Sequence, residues 1–172
     1  MRFNYYAFKA IYFHEMDRFK RTLMQSLFSP VLSTSLYFIV FGSVIGGYVE
    51  NIDGISYGSY IVPGLLMLTL LTQSISNTSF GIFFPKFNGT IYEILAAPIS
   101  TFEIVLAFVG AGATKTLIVG AVIFITSTFF VEVNVMYPLL MIFLLMLVAF
   151  TFALFGFLIG LMSSNFEQMS II

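Results

Sequence analysis

The sequence predicts an all-α polytopic membrane protein: a helical bundle of four spans, preceded by an N-terminal amphipathic interfacial helix and interrupted by one short helix in a cytosolic loop. Three observations predict it. Of the 172 residues, 59% are hydrophobic and only 9% charged, whereas a soluble domain needs about 25% charged residues to dress its surface. The apolar residues fall in several runs of the roughly 20 residues that a helix needs to cross hydrocarbon. Basic residues are one-sided: five precede the first run, Lys86 lies between the second and third, and the other two turns hold none. By the positive-inside rule the N-terminus and the Lys86 loop are cytoplasmic.

Composition excludes several classes of function. Cysteine is absent and His14 is the single histidine, so disulfides, thiol nucleophiles and a metal ligand set are not expected. No constellation of acid, base and nucleophile is visible, so the chain is not expected to be an enzyme. A net charge of −1 without a basic stripe makes nucleic acid an unexpected partner.

Taken in order, residues 5–28 carry a stripe of Tyr5, Phe8, Tyr12, Met16, Phe19, Leu23 and Leu27 at steps of three or four. Lys9, Glu15, Asp17, Arg18, Lys20 and Arg21 take the other faces, with Asp17 and Arg21 spaced for an i,i+4 pair. Such a helix is expected to lie in the membrane interface against lipid headgroups. His14 reads as a solvated residue of that helix. Pro30 suits a helix start, which places span one at 31–49; Gly42 and Gly46 form a small-xxx-small pair for close helix packing. Span two covers 57–84. Thr69, Gln73, Ser76 and Asn77 fall near one of its faces, which is expected to meet another helix or line a translocation path.

The stretch 83–103, with 88–100 as its cytosolic segment, is the only long polar interruption between two very apolar segments after Arg21. Thr90 with Glu93, and Ser100 with Glu103, both fit the S/T-x-x-E capping box. Pro98 stops a helix begun near Ile91, leaving about two turns, too short to stand alone in water. Ile91, Ile94 and Leu95 form one apolar knob, open to two uses: packing on its own bundle, or docking in a groove of another protein. Span three covers 104–131 and holds Lys115, the one charge within any span. It stands about 18 Å along the helix from Glu103, and should face the bundle or snorkel. Gly110 and Gly112 before Lys115-Thr116 do not make a phosphate loop, since Val109 and Thr114 stand where glycines are needed. Span four covers 138–162, with Pro138 at its first turn and a second packing pair in Gly156 and Gly160.

No span carries an Asp or Glu of the kind that couples transport to an ion gradient. Energy for any transport should therefore enter from outside, at the cytosolic helix. The amphipathic start, LYFIVFGSVIG from Leu36, YIVPGLLM from Tyr60, TIYEILAAPIS from Thr90 and SSNFEQMS from Ser163 together resemble the membrane-spanning permease subunit of type-2 ABC transporters, over essentially the whole chain. The resemblance implies an ATP-driven exporter with a separate ATPase subunit that binds ATP-Mg, a second permease copy, lipid contacts and a bacterial inner-membrane location. It makes Thr90, Ile91, Glu93, Ile94, Leu95 and Pro98 the ATPase-coupling residues. The family has six spans, so the 172 residues are expected to be a partial, C-terminally truncated permease domain. A membrane structural or binding subunit that transports nothing, and an independent channel, are the alternatives.

Overall fold

The computed structural model describes residues 3–45, 51–52, 54–133 and 135–171. It is an all-α bundle: α1 (Tyr5–Arg21), α2 (Leu23–Tyr37) running into a π-helical stretch (Phe38–Ile45), α3 (Tyr57–Phe87), α4 (Ile91–Ala96), α5 (Thr101–Ser127), α6 (Pro138–Met162) and α7 (Phe166–Ile171). The strands among the described residues are β1 (Asn51–Ile52) and β2 (Ile55–Ser56), an antiparallel pair. Among the described residues, four helical stretches are long and apolar enough to cross a membrane: Leu23–Phe41, α3, α5 and α6.

The first span begins earlier than expected. The helix read as 5–28 breaks at Thr22, where φ is −106° and ψ 15°, and α2 runs through Pro30 instead of starting at it. Arg21 is the last charge before the apolar run. The stripe of Phe19, Leu23 and Leu27 crosses the break in phase and hides it from periodicity. Pro30 lacks an N–H, a defect that membrane helices tolerate where neighbours satisfy the freed carbonyl. Gly46 lies outside the described residues, so the Gly42–Gly46 pair is not described.

The other ends follow local chemistry. α3 carries Pro85 within its last turn and ends past residue 84; Gly89, at φ 79°, makes the turn that follows. α5 starts at Thr101 because Ser100 and Glu103 form a complete capping box. It ends at Ser127, whose hydroxyl donates to Phe124 O at 2.7 Å, instead of continuing to 131.

Helices α3, α5 and α6 enclose the core of Ile82, Ile104, Phe108, Val109, Ala113, Ala149, Ala153 and Phe157. α6 meets α3 backbone to backbone. A Cβ at Gly156 would fall 2.9 Å from Ile75 Cα, and one at Gly160 3.0 Å from Ser79 Cα, so only glycine permits this approach. Lys86 Nζ donates to Leu161 O at 2.6 Å and Ser163 O at 2.9 Å, tying the end of α3 to the carbonyl end of α6, where a cation is favoured. Phe166 of α7 packs edge-on against Phe83 and Phe87.

α1, expected as an amphipathic helix of the membrane interface, packs along α5. It runs alongside α5 in the same direction: Asn4 meets Glu103, Tyr12 meets Thr114, and Phe19 packs with Val119 and Ile123. The physical reason is Glu15. By residue type it groups with the charged residues of the other faces, yet it is only 2% exposed and pairs with Lys115.

Candidate functional site

Three features stand out: the short helix at one end of the bundle, an ionic junction below it, and a polar groove along the first two spans. α4 is held by its own bundle on one side only. Ile91, Ile94 and Ile99 are partly buried against the core, whereas Tyr92 is 73% and Leu95 62% exposed. The expected knob of Ile91, Ile94 and Leu95 is therefore split, and Tyr92, not singled out by the sequence pattern, joins Leu95 outside. A six-residue helix turns its i, i+3 pair one way and its i+1, i+4 pair another, which is the signal that could have found Tyr92. Glu93 and Pro98 are exposed as well.

The first expected capping box is not formed. Thr90 has helical dihedrals (φ −64°, ψ −16°) and no side-chain cap bond; its hydroxyl donates to Pro85 O at 3.3 Å. The second box is formed and also recruits α1: Glu103 accepts from the backbone N–H of Ser100 and of Asn4. Asn4 Nδ2 reaches Pro98 O at 3.5 Å. The N-terminus of α1 and the α4 loop thus share one end of the molecule.

Along α1 and α5 lies the ionic junction. Glu15 Oε2 accepts from Lys115 Nζ at 2.7 Å and pairs with Arg18 Nη2 at 2.7 Å. The Glu15 and Lys115 side chains are 3% exposed and that of Arg18 29%. Lys115 therefore faces the bundle and has a carboxylate there, supplied by α1. A signal existed: Glu15 is three residues after Tyr12 and four before Phe19, on the apolar stripe itself. Asp17 pairs with Lys20 at 2.9 Å, not with Arg21; the hydrogen bond from Lys20 and its charge hold the Asp17 carboxyl below its usual range.

Thr69, Gln73 and Asn77 are half-buried and Ser76 is exposed. Asn77 Nδ2 donates to Gln73 Oε1 at 3.4 Å, and Thr69 donates to Leu65 O at 2.8 Å. With Ser29, Pro30, Ser33, Thr34 and Tyr37 of α2, and Leu65, Leu68 and Thr72 of α3, Thr69 and Gln73 line an open groove of about 260 Å³. It contains hydroxyls and an amide but no charge. Ser74 and Thr78, which sequence reasoning passed over, are the fully buried hydroxyls of α3 and have no hydrogen-bond partner among the described residues. Thr78 packs directly on Gly112 of α5. Among the described residues no group of three His, Cys, Asp or Glu side chains could hold a metal.

The comparisons agree with one another. A profile of the ABC-2 type transporter family, ABC2_membrane, matches residues 6–172. The chain is similar to the inner membrane transport permease YadH of Escherichia coli strain K12, with 36% identity over 172 residues, covering 100% of this chain and 67% of that permease. The YadH permeases of Escherichia coli O157:H7 and of Shigella flexneri match to the same extent. No solved structure matches.

Proposed function

The chain belongs to the ABC-2 type transporter family, and from that premise we propose that it is the membrane-spanning subunit of an ATP-driven exporter in a bacterial inner membrane. The ATPase is a separate subunit that binds ATP-Mg and docks on α4, and a second permease copy completes the path. The N-terminus and the α4 loop face the cytoplasm. One observation carries this reading: α4 is rooted in the core through Ile91 and Ile94 while Tyr92 and Leu95 stand out at the end of the bundle. An apolar pair so displayed fits a helix-in-groove contact, and rooting it lets a push on the knob reach the spans. Beside it, Glu93 gives the partner a charge to read. The groove of Thr69 and Gln73 supplies one uncharged wall of the path, and the exposed apolar faces of α2 and α6 are suited to lipid and to the second copy.

Affinity capture from membranes tests the docking. The tagged chain should bring down an ATPase subunit with vanadate-sensitive activity, and Leu95→Asp should cut the captured ATPase at least tenfold while the spans still insert. Capture unaffected by Leu95→Asp would refute the docking role. Orientation is tested separately, since the chain has no cysteine of its own. A single cysteine at Asn88 should resist a membrane-impermeant maleimide in intact cells and react once they are permeabilised. Prompt labelling of intact cells would reverse the topology.

A further inference from the structure

Helix α1 connects two places that its sequence does not suggest are joined. At its start, Asn4 is bonded to Glu103 and Pro98, within the loop that carries α4. In its middle, Tyr12 donates to Thr114 Oγ1 at 3.0 Å. Near its end, Glu15 is held by Lys115 and Arg18, and one residue after Arg21 the chain turns into α2. α1 therefore reaches from the α4 loop to the foot of the first span, whose Ser33 and Thr34 line the groove.

We propose that Glu15 is a positioning residue for coupling: by pinning α1 to Lys115 it makes α1 a strut that carries displacement of the α4 loop into α2. This rests on the reading of the chain as ATP-driven. Apolar contacts such as Phe19 on Val119 and Ile123 hold two helices together yet allow them to roll and slide. A buried ion pair has one register, and fixing register is the best-attested use of buried charge. The fold makes room for it. Gly81 of α3 faces the pair, and a Cβ there would sit 3.3 Å from Glu15 Oε2 and 3.6 Å from Arg18 Nη2, so three helices converge on this carboxylate. Lys115 is the complementary requirement, since a lysine within a span needs a partner and α1 provides it.

Two readouts on the full chain in membranes test the strut. The first is oxidative cross-linking of a Tyr12→Cys/Thr114→Cys pair, which reports whether α1 is docked. Glu15→Gln should lower the cross-link yield at least fivefold, and the swap Glu15→Lys with Lys115→Glu should bring it back to within twofold of the parent. An unchanged yield in Glu15→Gln, or no recovery in the swap, overturns the lock. The second is maleimide labelling of Ser33→Cys in the complex with the captured ATPase, with and without ATP and vanadate. The parent should change its labelling rate at least threefold, Glu15→Gln should lose that response while retaining capture, and the swap should regain it. Glu15→Asp keeps the charge but withdraws it by one carbon, and should lose about half of the response even if Glu15→Gln fails to insert; a full response in Glu15→Asp overturns the proposal. Failure of capture or of the ATP response in the parent strikes down the ATP-driven reading itself, whereas a retained response in Glu15→Gln strikes down the strut alone.

Discussion

Valine at Gly160 is expected to force α6 away from α3 and lower the melting temperature of the detergent-solubilised chain by roughly 10 °C. The would-be Cβ falls 2.5 Å from Ser79 O and 3.0 Å from Ser79 Cα, and both are backbone atoms of a helix that cannot rotate out of the way. Overpacking of a rigid neighbour costs about 3 kcal/mol, and close small-residue contacts are what hold membrane helices together when burial from water cannot. Gly156 repeats the geometry one turn earlier, 2.5 Å from Ile75 O, so Gly156→Val should be similarly damaging. Gly120 is a milder case because its nearest neighbour is the Leu70 side chain, which can shift. Gly64 has nothing within 4 Å, and Gly64→Ala serves as the tolerated control. If Gly160→Val melts like the parent, α3 and α6 do not meet as described.

The four spans were legible because lipid imposes a simple rule, long uncharged runs separated by polar turns, and the chain obeys it from Leu23 to Met162 apart from the α4 loop and Lys115. The family resemblance was legible for a related reason: the loop motif TIYEILAAPIS and the other segments that carry it are local. What was hidden depends on partners distant in sequence. That Lys115 needs a carboxylate could be read from its place in a span, and the place of Glu15 on the apolar stripe marked it for burial, but that these two meet could not be read, because they stand 100 residues apart. Thr90 shows the opposite failure. Its spacing to Glu93 fits a capping box, yet the preceding turn through Pro85 and Gly89 leaves Thr90 already helical, so its hydroxyl bonds backward. The polar face of α3 was read one stripe away from the buried one: Ser74 and Thr78 look inward, while Thr69 and Gln73 look toward α2. Periodicity finds faces; it does not say which neighbour each face will meet.

Removing the two ends of the ionic junction should not be equivalent, and Glu15→Leu is expected to be the more destabilising. Without Glu15, Lys115 is left 3% exposed with Arg18, a second cation, beside it. Stranding one member of a buried pair costs about 3 to 5 kcal/mol. Without Lys115, by contrast, Glu15 keeps Arg18 at 2.7 Å, and that guanidinium is partly open to solvent. Lys115→Met then forfeits one charge-assisted hydrogen bond, about 2 kcal/mol. The double variant Glu15→Leu/Lys115→Met removes both buried charges and leaves Arg18 free to turn outward, so it should be more stable than Glu15→Leu alone, which requires a coupling of about 3 kcal/mol between the two positions, larger than the loss in Lys115→Met. Unfolding of the four proteins in mixed detergent micelles reads this cycle directly. Equal losses in both single variants, or a double variant no better than Glu15→Leu, would show that the pair is not the buried contact on which α1 is hung.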